Sequence, residues 1–134
     1  MTPEELVKKY IPEKPLVDVF DKRLIVLAKS RMGTLNDYLP MVMPWFSEFI
    51  PSPLGEQYKD LLDEFYVFTE CVSGWSPEII QEFIRRGEKK YWKFRGKGLT
   101  VLFSGKEYGL PIADMLFLIG YYETQERINK LYGN

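Results

Sequence analysis

Between Tyr38 and Leu54 the chain runs for 17 residues with one charge, Glu48, and four prolines, Pro40, Pro44, Pro51 and Pro53. Proline fixes φ and supplies no amide donor, so this stretch can form only broken helical pieces and is barred from the middle of a sheet. Its other residues include Met41, Val42, Met43, Trp45, Phe46, Phe49 and Ile50, too apolar a set for an ordinary exposed loop. Either the segment is a crossover packed on its own core, or it is a docking surface for a neighbouring subunit.

The remaining periodic segments read as helical. Thr2, Pro3 and Glu5 form an N-cap, a first-turn proline and a capping box, which predict a short helix interrupted by Pro12 and Pro15. Leu16, Val17, Phe20, Leu24, Leu27 and Ala28 recur at helical spacing up to Gly33, and Thr34 with Asp37 opens another short helix. The clearest stripe is Leu54, Tyr58, Leu61, Leu62, Phe65, Phe68 and Val72, stopped by Ser73-Gly74. Ser76-Pro77-Glu78 starts a helix predicted to reach about Phe94, with Arg95-Gly96-Lys97-Gly98 as its stop, and a last helix is predicted from near Pro111 to about Leu131. Leu99 to Phe103 is the one strand-like run, and Tyr108-Gly109-Leu110 could pair with it as a tiny hairpin over 99–109. A lone hairpin is marginal without a sheet to join, which tips the balance toward a helical turn or an extended connection. With no internal repeat and no low-complexity linker, the expected fold is all-α: one domain over 1–134, a bundle of about four main helices with a proline-broken N-terminal crossover.

The last helix adds a reason to expect a neighbour. Met115 to Tyr122 is apolar on every side of a helical wheel, and such a helix must be covered all round. Either the proline-rich segment lies over its second face, or another copy does. The expected subunit interface therefore comprises Met41, Trp45, Phe46, Phe49, Phe117, Leu118 and Tyr121.

Histidine is absent and Cys71 is the single cysteine. That excludes Ser-His-Asp and Cys-His nucleophiles, imidazole proton shuttles and His-containing zinc sites, so no enzyme, no cofactor and no small-molecule substrate is expected. Cys71 cannot bridge within the chain and is expected as a small core residue of a cytosolic product. The acidic start, Met1 to Glu5, lacks the apolar run of a signal peptide, and no stretch approaches the ~20 apolar residues of a membrane span. Scarce Asn and Gln beside plentiful Lys, Glu and Tyr lean toward a hot-environment source.

A net charge of −1 conceals a strong polarity. From Glu48 to Glu82 eight acids face Lys59 alone, and from Arg85 to Lys97 seven bases face Glu88. At about 100° per residue, Arg85, Arg86, Lys89, Lys90, Lys93 and Lys97 fall within an arc of roughly 140°, provided one helix carries them all. Trp92 projects beside Arg85, where it could stack on a base or fill a partner's pocket. Together with Arg95 these residues form the candidate site for nucleic acid or an acidic partner. Three occupations stay open: phosphates of a nucleic acid, the acidic region of another copy in a head-to-tail contact, or solvent over a surface paired with acids such as Glu78 and Glu82. Glu56, Asp60, Asp63 and Glu64 share a helix face, but the Glu-x-x-His partner of carboxylate di-metal helices is missing, so they are expected as solvated surface. Gly105-Lys106 is followed by Glu107 where a phosphate loop needs Ser or Thr.

In its size, proline-broken N-terminal region, four-helix pattern and aromatic-rich composition, with turns such as Tyr10-Ile11-Pro12 and Gly109-Leu110-Pro111, the chain resembles the major coat proteins of tailed spindle-shaped viruses of hyperthermophilic archaea. The resemblance is a whole-chain profile. It implies a helical-bundle subunit of a virion shell that self-assembles and resides in the virion, and before that in the host cytoplasm; the basic run is what could bring packaged double-stranded DNA in as a second partner. A relative in that group inhibits the host RNA polymerase, which makes a small regulator of nucleic acid or polymerase the alternative.

Overall fold

A computed structural model describes residue 16 and residues 18–86, 92–107 and 109–133; the capping box at Thr2 and the Tyr10-Ile11-Pro12 turn lie outside them. Among the described residues there are seven α-helices: α1 (Lys22–Ala28), α2 (Leu35–Val42), α3 (Lys59–Cys71), α4 (Pro77–Arg85), α5 (Trp92–Ser104), α6 (Ile112–Ile119) and α7 (Tyr121–Leu131). Two 3-10 turns, Met43–Trp45 and Pro53–Tyr58, join α2 to α3, and no strand occurs among the described residues. The class among the described residues is all-α as expected, while the expected bundle of about four main helices is not confirmed, since seven helices are found there.

Local signals set three of the starts. The Asp37 carboxylate accepts from the amides of Thr34 at 3.0 Å and Gly33 at 2.9 Å, closing the first turn of α2. The Ser76 hydroxyl accepts from Ile79 N at 3.2 Å with Pro77 at the first position of α4. Asp21 caps α1 by accepting from Arg23 N at 2.9 Å, so that helix starts after Phe20 and leaves Leu16 outside it.

Three expected elements differ. The helix opened by Ser76 ends at Arg85, because Arg86 takes an extended backbone (φ −62°, ψ 147°), well short of Phe94. The predicted stop at Arg95 to Gly98 lies inside α5, which also absorbs Leu99 to Phe103 and removes the hairpin alternative. Gly98 is there for closeness rather than for a turn: a Cβ would fall 2.4 Å from Leu61 Cδ2 and 2.8 Å from the Tyr58 ring, so α5 crosses α3 and the preceding 3-10 turn at this residue. The last helix is broken at Gly120, whose φ of 92° and ψ of 162° belong to a region that essentially only glycine occupies.

One core cluster draws on all seven helices. Phe65 of α3 is at its centre, with ring centroids 5.2 Å from Phe83 of α4 and 5.6 Å from Phe103 of α5. Trp75, in the α3–α4 connection, donates from Nε1 to Leu116 O of α6 at 3.1 Å and packs edge-on against Tyr121. Around that centre α5 touches α3, α4 and α6, while α4 lies along α6. Cys71, expected in the core, is exposed: the buried stripe of α3 is Leu61, Leu62, Phe65, Phe68 and Thr69, and two residues past Thr69 the helix presents its outer side. No helix among the described residues is long and apolar enough to cross a membrane.

The two glycines of α5 give opposite expectations. At Gly96 a Cβ meets only Ile84 Cγ2 at an ordinary 3.8 Å, so Gly96→Ala should stabilise by up to ~1 kcal/mol through helix propensity. Gly98→Ala should instead destabilise by ~1–3 kcal/mol, since the atoms it would meet belong to the buried side chains of Leu61 and Tyr58. Denaturant midpoints of the two variants check this, and an equal gain in both would contradict the close crossing.

Candidate nucleic-acid interface

The end of α4 divides the basic run among different surroundings. Arg86 holds its guanidinium over the Phe68 ring at 5.5 Å and lines a groove between α3 and α4 with Glu64, Glu82 and Cys71. Arg95 is a fastener: Nη1 donates to Phe83 O at 2.9 Å, Nη2 to Glu64 Oε2 at 3.0 Å, and the guanidinium lies 5.0 Å from the Phe83 ring centroid. Phe83 O also accepts from the Arg86 amide at 3.2 Å, so Arg95 is the second donor on this carbonyl at the end of α4. Trp92 and Lys93 begin α5, while Lys89 and Lys90 lie outside the described residues.

Arg85 and Lys97 do come together, across a cleft of about 440 Å³ between α4, α5 and the start of α6. The third cation at that cleft is Arg31, from the turn between α1 and α2. Its Nη1 donates to Gly109 O at 2.7 Å, which pins the turn to the loop that leads into α6. All three cations are exposed, whereas Ile84, Leu110 and Ile112 form a buried apolar floor. Thr100 and Gln81 add polar groups, with the Thr100 hydroxyl donating to Gly96 O at 2.8 Å. Among the described lining residues Glu107 is the one carboxylate, so three positive charges share a concavity with one negative charge. Low-dielectric walls concentrate such a field. On its other side Arg85 borders a shallow depression with Glu78, Glu82 and Asp114, so the potential reverses across this arginine. Sequence spacing singled out Arg85 and Lys97 but not Arg31, which is remote along the chain and carries no local pattern.

The expected interface residues are drawn largely inward by the chain's own packing. Trp45, Phe49 and Leu118 are buried, and Met41, Phe46, Phe117 and Tyr121 are half-buried. The Tyr121 hydroxyl donates to Thr69 O at 2.7 Å. The break at Gly120 removes the premise of one helix apolar all round, because Met115, Leu116 and Leu118 turn into the core of this chain while Tyr122 is exposed.

The acidic face is built as a surface. Asp60, Asp63, Glu64 and Glu70 are exposed on α3, with Asp63 accepting from the Tyr132 hydroxyl at 2.5 Å. That bond and partial burial raise the Tyr132 pKa, burial being the larger cause. Among the described residues no three carboxylate or cysteine side chains are gathered as a metal ion requires. Comparison with protein-family models, curated proteins and solved structures finds no match for the chain.

Arg95 and Lys97 therefore differ in kind despite sharing one basic run. Arg95→Gln should lower stability by ~1–2 kcal/mol, because it strips a charged donor from a half-buried carbonyl and breaks the link to Glu64. Lys97→Gln, on the exposed rim of the cleft, should stay within ~0.5 kcal/mol of wild type. Equal losses in thermal or chemical unfolding would refute the distinction.

Proposed function

We propose that this chain is a structural protein that assembles with copies of itself, the coat subunit of a virion, with double-stranded DNA as a second partner. The observation that carries the reading is the outer side of residues 20–54. The inner side of that stretch, Leu24, Ala28, Tyr38, Val42, Trp45 and Phe49, is buried in the chain's own core. Apolar residues are also exposed along it, among charged ones such as Lys22, Arg31 and Glu48: Ile50 is 75 % exposed, Val26 68 % and Phe20 56 %, and Leu39, Met43 and Leu54 are exposed as well. Single exposed hydrophobic residues are ordinary, but six of them in one stretch of chain are more than solvation requires. Self-association would remove them from water. The contrast between the acidic surface of α3 and the basic cleft favours contacts between unlike faces, which extend into shells or filaments.

The non-catalytic reading agrees with the chemistry available in the chain, which has no imidazole and one thiol. A small regulator that binds nucleic acid or host RNA polymerase is the second reading, and the basic cleft favours it equally.

Sedimentation separates the two. A coat subunit should associate as concentration rises, and Met43→Asp with Ile50→Asp should oppose that association. Loss of one interface anchor costs ~2 kcal/mol, a weakening of roughly 30-fold. Both positions are exposed, so the variant should keep its fold. Trp45→Asp is unsuited to this purpose, because Trp45 is only 7 % exposed and the variant would unfold before it reported on assembly. A wild type that stays monomeric at every concentration would overturn the coat reading and leave the regulator.

A further inference from the structure

We infer that the cleft between α4, α5 and the start of α6 is a binding site for a backbone phosphate of nucleic acid, held by Arg31, Arg85 and Lys97. The site does not require the coat reading, since a monomeric regulator would carry it unchanged. Its basis is convergence. A surface patch on one helix offers charges from one direction, whereas here the cations come from three parts of the fold and meet at one concavity.

The chemistry selects a phosphate over a carboxylate. A phosphodiester carries its charge on oxygens that project from a tetrahedral centre, so cations on different walls can contact it together. A carboxylate is planar, with both oxygens on one edge, and one guanidinium satisfies it. Behind the cations, the floor of Ile84, Leu110 and Ile112 offers an apolar surface to the sugar next to that phosphate. The α6 helix starts at this wall behind Pro111, which supplies no side-chain cap, so Ile112 and Ala113 line the cleft at the positive end of the helix dipole. Glu107 opposes the anion, and the reversal of charge beyond Arg85 confines the phosphate to the side shared by Arg31 and Lys97. Because the cations are exposed, the phosphate can belong to a strand that runs past the mouth.

Anisotropy of a labelled DNA duplex, measured over a series of salt concentrations with sedimentation in parallel, tests the site. Arg31→Gln and Lys97→Gln should each lower the slope of log K against log salt by up to ~0.9, the value for one lost phosphate contact. Arg86→Gln, next to Arg85 in sequence but in the α3–α4 groove, should leave the slope unchanged. Arg31→Lys should restore most of the slope, because it keeps the charge. The inference is overturned if no duplex binds at low salt, if Arg86→Gln costs as much as Arg31→Gln, or if Arg31→Lys fails to rescue. Polyglutamate that displaces the duplex at equal charge would assign the cleft to an acidic protein, and a mononucleotide that binds as tightly as the duplex would assign it to a free nucleotide; either result rejects the backbone phosphate. Duplex binding retained by a protein that never self-associates would support the site while removing the coat.

Discussion

The fold depends on one buried cation. Arg127 of α7 is 2 % exposed, yet every direction its guanidinium faces is filled. It donates to Phe103 O at 3.0 Å and to Pro44 O, Trp45 O and Glu123 Oε1 at 3.3 Å each. The Trp45 and Phe49 rings lie with centroids 5.2 Å and 4.8 Å from it. Burial lowers the Arg127 pKa and Glu123 acts against that, but guanidinium remains charged at any pH a protein meets.

Prolines explain why such a residue is needed. The carbonyl of Pro40 would accept from residue 44 in a continuing helix, but Pro44 has no amide hydrogen. Lys106 Nζ donates to Pro40 O instead, at 2.8 Å, and Arg127 collects the carbonyls of Pro44 and Trp45. Phe103 O, near the end of α5, is likewise without a helical donor. One planar fork thus satisfies the broken crossover and the end of α5 together and clamps both to α7. With its inner side held this way, the crossover leaves Leu39, Met43, Ile50 and Leu54 outward, where the coat reading proposes its contact surface. The same clamp anchors the far end of the helix that carries Lys97 and Thr100 to the basic cleft.

What could be read from the sequence was what is decided locally. The caps at Thr34–Asp37 and Ser76-Pro77, the stop at Ser73-Gly74, the stripe from Tyr58 to Phe68 and the apolar crossover all rest on neighbours a few residues apart. Gly96 and Gly98 misled because glycine stops helices by local rules, whereas Gly98 is needed for the approach of Leu61 and Tyr58 from other elements. Gly120 carried a usable signal, a glycine within an apolar run, but helical spacing on both sides hid the break. Arg127 and Arg31 had none: each is an ordinary charged residue in a polar stretch, and its role arises from carbonyls or cations distant in sequence. The basic run was visible as composition, but its division into a fastener, a groove residue and two cleft cations needed the end of α4 and the path of α5.

Native-state hydrogen exchange of Arg127→Met beside wild type addresses the clamp directly. Loss of the guanidinium leaves buried carbonyls of two elements unpaired, which should cost about 3 kcal/mol or more. Protection should fall first in residues 38–54 and at the end of α5, with Arg127→Lys intermediate because it keeps the charge without the fork. Unchanged protection of that segment and unchanged stability in Arg127→Met would contradict the account, since the crossover would then be held by its apolar side chains alone.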